Sequence, residues 1–483
     1  MCKAFVEVPG KVWLILIVGV CLGWLSPNPA LTSASLLILP ILVFPLWLKG
    51  APPALSFILF YQWLEATLKV FSADLGGESV RGMIKMGSEE NSWFIYSAGI
   101  NKALWLALGG LLSLAVGMRL GIVGLAKNHE KKIRIERSET QPVRKLFILY
   151  VVASIVTVPL IHLGWRFASL FQILLALTCV KWVIFFLLAY AILERKKGYG
   201  FLLITFLLEI SAGFLTYFAQ FKSVFFLLAV VFLTLNFRFR EKHILIASAV
   251  LSMALLLGSA WSIIKHDFRA FLDERAVESK ASLSLEAKIE KMSSLIAGLD
   301  GQRMRRGTEI LTERIAYVDY FARVLDMVPR SIPYENGYLW KKALVHVVTP
   351  RILFPDKPSL TPDSDITRKY TGIRVAGGEL GGGTSIGIGY FAESYVDFGV
   401  PGMFLPLFLI GLLQGLIYRH LVSKTKTSVF GYAVATAIIL FSGTSIATSS
   451  AKVLGGTVMN FIVLAIFSKL FEKQFVRRIV ITS

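Results

Sequence analysis

The chain of 483 residues is a succession of long apolar runs separated by shorter polar ones. A helix needs about 20 apolar residues to cross the roughly 30 Å hydrocarbon layer of a bilayer. The runs that approach this length lie near 11–27, 31–48, 52–71, 93–117, 145–164, 168–193, 199–219, 222–237, 243–264, 399–420, 428–447 and 453–471. The pattern therefore predicts an all-α polytopic membrane protein with about 12 transmembrane helices.

The composition supports this class over one or more soluble domains. Hydrophobic residues make up 55% of the chain and charged residues 17%, whereas soluble domains carry roughly 25% charged residues. A net charge of +20 would indicate nucleic-acid binding in a soluble protein. Here most of the excess lies in short loops beside apolar runs, where topology and anionic lipid headgroups explain it. We expect membrane lipids as partners, and no nucleic acid.

Positive charge also predicts orientation, because cytoplasmic loops are enriched in lysine and arginine. The first apolar run follows Lys3 and Lys11 and lacks a clear small-residue cleavage site, so we interpret it as a membrane helix and not a signal peptide. With the N-terminus in the cytoplasm, the basic loops after the fourth, sixth, eighth and tenth spans fall on the cytoplasmic side. The basic C-terminal tail falls there too, so both termini are predicted to be cytoplasmic.

One long polar segment divides the chain into three parts. Residues 1–264 form an N-terminal bundle of about nine predicted spans, residues 265–398 a large external loop domain, and residues 399–483 the C-terminal spans and tail. The loop is predicted to face away from cytoplasmic nucleotides, and the sequence has no P-loop motif. Cysteine and histidine spacings indicate no metal site, and no cofactor is predicted.

Helical periodicity continues inside the external loop. Apolar residues recur at helical spacing over 303–328 and again over 338–348, and 266–295 is typical of a charged surface helix or loop. The prolines between 350 and 362 are expected to prevent regular helix beyond the second of these elements. A Gly-rich turn at 377–389 is predicted to lead towards the tenth span.

Four basic residues are candidate phosphate ligands, because phosphate and diphosphate need several positive donors. Arg314 is placed near the apolar face of its predicted helix, where an unpaired charge would be costly. Arg351 and Lys357 stand in the proline-fixed stretch, and Arg166 lies at the outer end of a predicted helical hairpin. For the many other basic residues of the loop, a solvated surface is a sufficient explanation.

Two acidic residues are candidate catalytic groups. Glu393 and Asp397 are four residues apart and share a face if the chain is helical where the loop meets the tenth span. A carboxylate in a partly apolar site can act as a general base towards a hydroxyl group. The alternative is that both carboxylates cap helices at a water-exposed rim. His346, within a mostly apolar stretch, is interpreted as structural.

The order of these motifs resembles that of a known family. An arginine-containing helix precedes Pro-x-x-x-Pro-Tyr-x-x-Gly from Pro329, Pro-Arg-x-x-Phe-Pro-x-Lys-Pro from Pro350, and Gly-Tyr-x-x-Glu-x-Tyr-x-Asp-Phe-Gly from Gly389. The chain in this respect resembles the Wzy-type oligosaccharide repeat-unit polymerases of bacterial O-antigen and exopolysaccharide pathways. Phe354 stands where many relatives have tryptophan, which leaves the charge pattern intact.

The resemblance implies a metal-independent glycosyltransferase of the glycosyltransferase-C type in the bacterial inner membrane. It implies transfer of a growing glycan from undecaprenyl diphosphate to a sugar hydroxyl of the next undecaprenyl-diphosphate-linked oligosaccharide, at the outer face. A chain-length regulator protein is an additional implied partner. Arg314, Arg351 and Lys357 match basic motif positions and would bind diphosphate, and Glu393 and Asp397 match the acidic positions.

Two other activities stay open at this point. An O-antigen ligase-like transferase would use the same leaving group with a different acceptor. A transporter or flippase of lipid-linked glycans would be expected to hold a charged midplane cavity between two similar halves. The sequence instead concentrates its polar residues in one external loop and shows no matching halves.

Overall fold

The computed structural model describes residues 6, 10–80, 82–86, 93–97, 99–125, 142–167, 169–214, 221–235, 241–278, 285–375, 386–425 and 428–475, and the structural statements below concern these residues. Helices dominate them. In chain order the helices are α1 Gly10–Gly23, α2 Pro29–Val43, α3 Ala54–Leu75, α4 Ile100–Gly121, α5 Val143–Arg166, α6 Phe171–Arg195, α7 Tyr199–Phe214, α8 Lys222–Thr234, α9 Glu241–Glu278, α10 Leu285–Ala297, α11 Gly301–Ile315, α12 Val318–Met327, α13 Tyr338–Val348, α14 Asp363–Thr371, α15 Gly389–Gly402, α16 Phe404–Lys424, α17 Ser428–Ser442 and α18 Ser450–Phe475.

The helices α1 to α9 and α16 to α18 overlap the predicted membrane spans. Within the described residues, seven helical stretches are long and apolar enough to cross a bilayer: Pro29–Leu46, Ile100–Gly121, Val143–Gly164, Phe171–Arg195, Ser248–Leu272, Phe404–Lys424 and Ser450–Glu472. Helices α1, α7, α8 and α17 are apolar but shorter. Helix α3, which carries Glu65 and Lys69, belongs to neither group. The architecture is that of an all-α membrane protein.

One hairpin departs from the all-helical expectation. Strands β1 (Gly82–Met86) and β2 (Trp93–Ser97) pair antiparallel, with Gly82 opposite Ser97 and Met86 opposite Trp93. The fourth predicted span began at residue 93, but α4 begins at Ile100. Aromatic and β-branched residues are enriched in strands, although their apolarity also fits a membrane helix. The prediction therefore wrongly joined the apolar run from Trp93 to Tyr96 to the helix that follows.

The external-loop segment is also helical, with two differences from the periodicity. The single helix predicted over 303–328 is divided into α11 and α12, because Ala316 and Tyr317 are not helical. Helix α14 begins directly after Pro362, although the prolines were expected to prevent helix there. Proline is tolerated at the start of a helix, where its missing N–H would have no intrahelical partner. Helix α13 has the predicted bounds, and the predicted turn at 377–389 lies outside the described residues before residue 386.

The contacts divide the chain into two compact units. One comprises Met1–Leu188 with Ala316–Ser483, and the other Ala189–Ile315. In the second unit, α9 and α11 approach closely at Gly307. A Cβ atom added at this glycine would clash with the Ser259 carbonyl oxygen. The Ser259 and Thr308 hydroxyl oxygens are 3.0 Å apart at the same contact.

The first unit is built around the packing of α4 on α16. Both helices carry a Gly-x-x-x-Gly pair, Gly117 with Gly121 and Gly411 with Gly415. A Cβ atom at Gly117 would clash with the Phe408 carbonyl oxygen, and one at Gly411 or Gly415 would clash with backbone oxygens of α4. Small residues at this spacing allow membrane helices to approach backbone to backbone. Helix α15, which carries residues of the site described next, directly precedes α16 in the chain.

Candidate functional site

Helix α13 is the scaffold of the site. It buries Trp340 and Ala343 and packs against α15 and α18. Val347 packs against Gly455: a Cβ atom added at Gly455 would lie 3.7 Å from a methyl group of Val347. Gly455 comes five residues after the first residue of α18, and therefore about 7.5 Å along that helix at about 1.5 Å per residue. The helix α13 thus lies beside one end of a membrane-spanning stretch.

Asp397 fixes the N-terminus of α13. Its Oδ1 accepts a hydrogen bond from the Leu339 N–H (3.1 Å) and its Oδ2 accepts one from the Trp340 N–H (2.8 Å). These N–H groups belong to the first helical turn and have no intrahelical acceptor. The side chain is buried, and burial raises the pKa of Asp397 against the opposing effect of the two hydrogen bonds. The contacts match the helix-capping alternative, although the residue is not at a water-exposed rim.

Lys357 fixes the opposite end of the same helix. Its Nζ donates to the His346 carbonyl oxygen (2.9 Å) and to the Thr349 carbonyl oxygen (2.7 Å). A cation at a helix C-terminus interacts favourably with the unpaired carbonyls and the helix dipole. The proline-containing stretch after α13 therefore folds back onto the end of the helix, and Lys357 is the residue that holds it there.

A cavity of about 700 Å³ lies between α13 and this returning stretch. Its lining includes the side chains of Lys341, Lys342, His346, Lys357 and Asp356, with the remainder contributed by apolar and small residues of 338–360. Four of these five named side chains are basic types, and a volume of this size falls in the range of small-molecule sites. The cavity therefore favours an anionic ligand with an apolar part.

Arg351 lies beside the cavity and acts on its groups electrostatically. Burial lowers the pKa of His346, and the positive charges of Lys357, Arg351 and Lys342 lower it further. Burial and the charge of Arg351 also lower the pKa of Lys357. A lowered pKa means that His346 is neutral at neutral pH, when an imidazole can accept a proton. No ion pair of Arg351 occurs within the part of the chain that the structure describes.

Glu393 holds the beginning of α18. It is only 2% exposed, and its Oε2 accepts a hydrogen bond from the Ser450 N–H (2.8 Å), the first residue of that helix. Burial raises the pKa of Glu393 to about 7, the hydrogen bonds from Ser450 oppose the shift, and the charges of Asp363 and Asp397 add to it. Glu393 and Asp397 thus share helix α15 but reach two different helix N-termini.

A second buried glutamate binds the residues that connect α17 to α18. Glu65 of α3 accepts hydrogen bonds from the Ser445 hydroxyl (2.6 Å) and the Ile446 N–H (2.7 Å). The Tyr390 N–H donates to the Thr448 carbonyl oxygen (2.8 Å) one turn before Glu393. Glu65 lies within an apolar run of the sequence, and its contacts give it a positioning role towards α18.

Of the six predicted site residues, Lys357 alone belongs to the lining of this cavity. Arg314 is an exposed residue in the last turn of α11, so it is not buried on an apolar helix face as its spacing suggested. It belongs to the unit Ala189–Ile315, and its role in phosphate binding stays a prediction. Arg166 is exposed at the end of α5. His346, by contrast, was interpreted as structural, although its spacing from Lys342 and its closeness to Arg351 were visible in the sequence.

Within the described residues, no group of three or more histidine, cysteine or acidic side chains could hold a metal ion. Fold and site together define a helical membrane protein with a basic cavity beside the end of a membrane helix. Residues 100–482 match the family described as a domain of unknown function, DUF8712, and the chain belongs to that family. No curated protein and no solved structure matches the chain. The family description names no activity, so the functional inference depends on the cavity.

Proposed function

We propose that the protein is a glycosyltransferase that polymerises undecaprenyl-diphosphate-linked oligosaccharide repeat units at the outer face of the bacterial inner membrane. The proposal includes about twelve spans, a glycosyltransferase-C-like arrangement, cytoplasmic termini and an outward-facing segment 265–398. A chain-length regulator would be a protein partner. Each of these points is supported by the motifs between Pro329 and Gly399, which are similar to those of the Wzy-type polymerases.

The observation that carries the proposal is the cavity between α13 and the Pro350–Pro358 stretch. This stretch contains the motif of the resemblance that is richest in charge, and it lies against a cavity lined by Lys341, Lys342 and Lys357. Cations grouped around one concave site are what a diphosphate requires. The nearness of α13 to the end of α18 suits a ligand whose lipid part stays in the bilayer.

The proposed reaction needs no nucleotide. The acceptor hydroxyl oxygen forms a bond to the anomeric carbon of the donor glycan, while the bond between that carbon and the diphosphate oxygen breaks. Undecaprenyl diphosphate leaves with the electron pair of that bond. Arg351 and the lysines of the cavity stabilise the charge that develops on it, which is commonly the largest catalytic contribution.

A general base must take the proton of the acceptor hydroxyl. We assign this role to His346, because it lines the cavity and its lowered pKa keeps it neutral. Glu393 and Asp397 were the predicted bases, but their carboxylate oxygens accept hydrogen bonds from helix N-termini. Those contacts favour a positioning role: Asp397 orients α13, and Glu393 orients the start of α18, against which α13 packs.

Replacing Arg351 tests the proposal. In cells that lack the chromosomal gene, single repeat units are expected to accumulate, and the wild-type protein is expected to restore long glycans. Arg351→Ala at matched expression is expected to shift the gel pattern back towards single units. Arg330→Ala serves as the control, because it removes an exposed arginine of the same segment that, unlike Arg351, is not among the charges that lower the pKa of His346 and Lys357. Long polymer in cells that carry Arg351→Ala would remove the residue from the mechanism.

The same gel separates the two alternative functions. If the protein is an O-antigen ligase-like transferase, its loss leaves long polymer on the carrier lipid that is not joined to a terminal acceptor. If it is a transporter or flippase, its loss leaves lipid-linked units at the cytoplasmic face, where an added external glycosidase does not reach them.

A further inference from the structure

The surface at the end of α13 and in the stretch after it is apolar. Six large apolar side chains there are exposed, and we call them the apolar face: Leu344, Val345, Val348, Ile352, Leu353 and Phe354. Val345, Leu353 and Phe354 also line the cavity, so the apolar face borders it. Val348 and Leu353 are each 71% exposed. Single exposed apolar residues are common, but a contiguous group in the sequence indicates an interaction surface.

Basic side chains accompany the apolar face. Lys341 is exposed one helical turn before Leu344 and Val345, and Lys342 and Arg351 are partly exposed. In the described part of 338–360, acidic side chains are represented by Asp356 alone. A helix with large apolar residues beside lysine and arginine is typical of an element that lies in the plane of an anionic lipid surface.

Helix α18 brings this surface beside a membrane-spanning stretch. Val347, between the exposed Val345 and Val348, packs against Gly455 in the second turn of the stretch Ser450–Glu472, which is long and apolar enough to cross a bilayer. Interfacial helices bury their apolar side chains roughly 5–10 Å into the headgroup and acyl boundary. An apolar face beside the end of a membrane-spanning stretch is placed to do the same.

We propose that the segment 338–354 is an interfacial element whose apolar face inserts into the bilayer around the protein, with Lys341, Lys342 and Arg351 on anionic headgroups. The occupant of the surface is the lipid leaflet itself. The inference does not require polymerase activity, because it concerns where the segment lies. Lys341 and Lys342 also line the cavity, so the labels of the test are placed at Ile352 and Val348, outside the cavity lining.

Depth-dependent quenching tests this inference on the full chain. The three native cysteines are replaced by alanine, and one new cysteine is labelled with an environment-sensitive fluorophore at Ile352→Cys or, in a second variant, Val348→Cys, both exposed positions outside the cavity lining. Ser331→Cys, an exposed polar position before α13, is the matched control. Each labelled protein is placed in nanodiscs of phosphatidylcholine with phosphatidylglycerol, with or without bromine atoms on the upper acyl chain.

We expect bromine to quench the labels at 352 and 348 about threefold more than the label at 331, because only the former reach the acyl boundary. Omitting phosphatidylglycerol, or adding Lys341→Gln with Lys342→Gln, is expected to reduce that quenching. Equal quenching at 352, 348 and 331, or none at 352 and 348 in protein that elutes as a single folded species, would overturn the inference. A disulfide between two copies of the unlabelled Ile352→Cys variant, with no quenching of the labelled one, would overturn it too, in favour of a second copy as the occupant.

Discussion

The surroundings of Glu393 shift the pKa of its carboxyl group strongly. Its carboxyl is buried, lies near the charges of Asp363 and Asp397, and meets the positive end of helix α18 through the Ser450 N–H. Burial dominates, and the folded-state pKa of about 7 exceeds the ordinary value of 4.5. The protonated carboxyl is therefore favoured by folding. Its contribution to stability is complete below about pH 4.5 and is lost as the pH rises through 7.

We predict that Glu393→Gln removes this pH dependence. The amide keeps an oxygen acceptor for Ser450 and cannot ionise, so the variant should exceed the wild type in stability at pH 8, by on the order of 3 kcal/mol. The midpoint of thermal unfolding in detergent, measured from pH 4.5 to pH 8, provides the check. Glu335→Gln is the control with opposite sign, because hydrogen bonds from Lys369 and Tyr370 lower the pKa of Glu335. A wild-type pH profile in Glu393→Gln would contradict the account of Glu393.

His346 is predicted to set the acid side of the pH–rate profile. Since burial and neighbouring positive charge lower its pKa below 6.5, the wild-type rate should stay high to below pH 6.5 and then fall. His346→Gln should abolish this fall and lower the rate of glycan extension about 100-fold, the lower range for general-base catalysis. His420→Gln, on α16 with its ring against Phe461, should leave the profile unchanged. An unchanged rate in His346→Gln would transfer the base role to another group.

Residue types and motif order were sufficient to identify Arg351, Lys357 and Asp397 as residues of interest. The sequence could not predict their hydrogen-bond partners. Asp397, for example, accepts from N–H groups 57 and 58 positions away in the chain. Lys357 was predicted as a diphosphate ligand, but its ammonium already donates to two carbonyls at the end of α13. Whether it also binds diphosphate stays a prediction. His346 was passed over because its lowered pKa arises first from burial and then from the charge of Lys357, which the returning stretch brings near it, besides the charges of its sequence neighbours Arg351 and Lys342.

At the scale of elements, the contact between α4 and α16 determines how closely the membrane helices approach. We predict that Gly411→Ala destabilises the protein by about 1–3 kcal/mol, the usual cost of overpacking, because the added methyl group would clash with the Leu114 carbonyl oxygen. Gly200→Ala is the matched control in α7, where the structure has no atom within 4 Å of the added methyl group. Thermal unfolding of the two variants by circular dichroism compares them. Equal midpoints would mean that α4 and α16 are not in backbone contact.

The elements differ in how well the sequence predicted them. Helix α13 has the predicted bounds, because its apolar periodicity is strong and a Gly337 with positive φ ends the preceding turn. The division between α11 and α12 was missed, since apolar spacing continues across Ala316 and Tyr317 while the backbone does not. At this break, the Tyr317 hydroxyl donates a hydrogen bond to the Gly387 carbonyl oxygen. Local apolar periodicity cannot predict a contact between residues so far apart in the chain.

At the scale of the whole molecule, the apolar pattern was sufficient for the class of protein. Seven described helices meet the length and apolarity of membrane spans, and their positions agree with the predicted runs. Helix α3 shows the limit of the pattern, since its Glu65, Lys69 and Asp74 all have partners elsewhere in the first unit. The twelve-span count, the orientation of the termini and the three-part domain division stay predictions.

Extension of lipid-linked glycans by the purified protein tests the central claim most directly. The protein in nanodiscs is given undecaprenyl-diphosphate-linked repeat units, without nucleotide sugars, and the products are resolved by gel and mass spectrometry. The account predicts a ladder of two or more repeat units with release of undecaprenyl diphosphate. It also predicts loss of the ladder in Arg351→Ala and its retention in Arg330→Ala. Wild-type protein that binds the lipid-linked unit and yields only single units, or Arg351→Ala with a wild-type ladder, would contradict the claim.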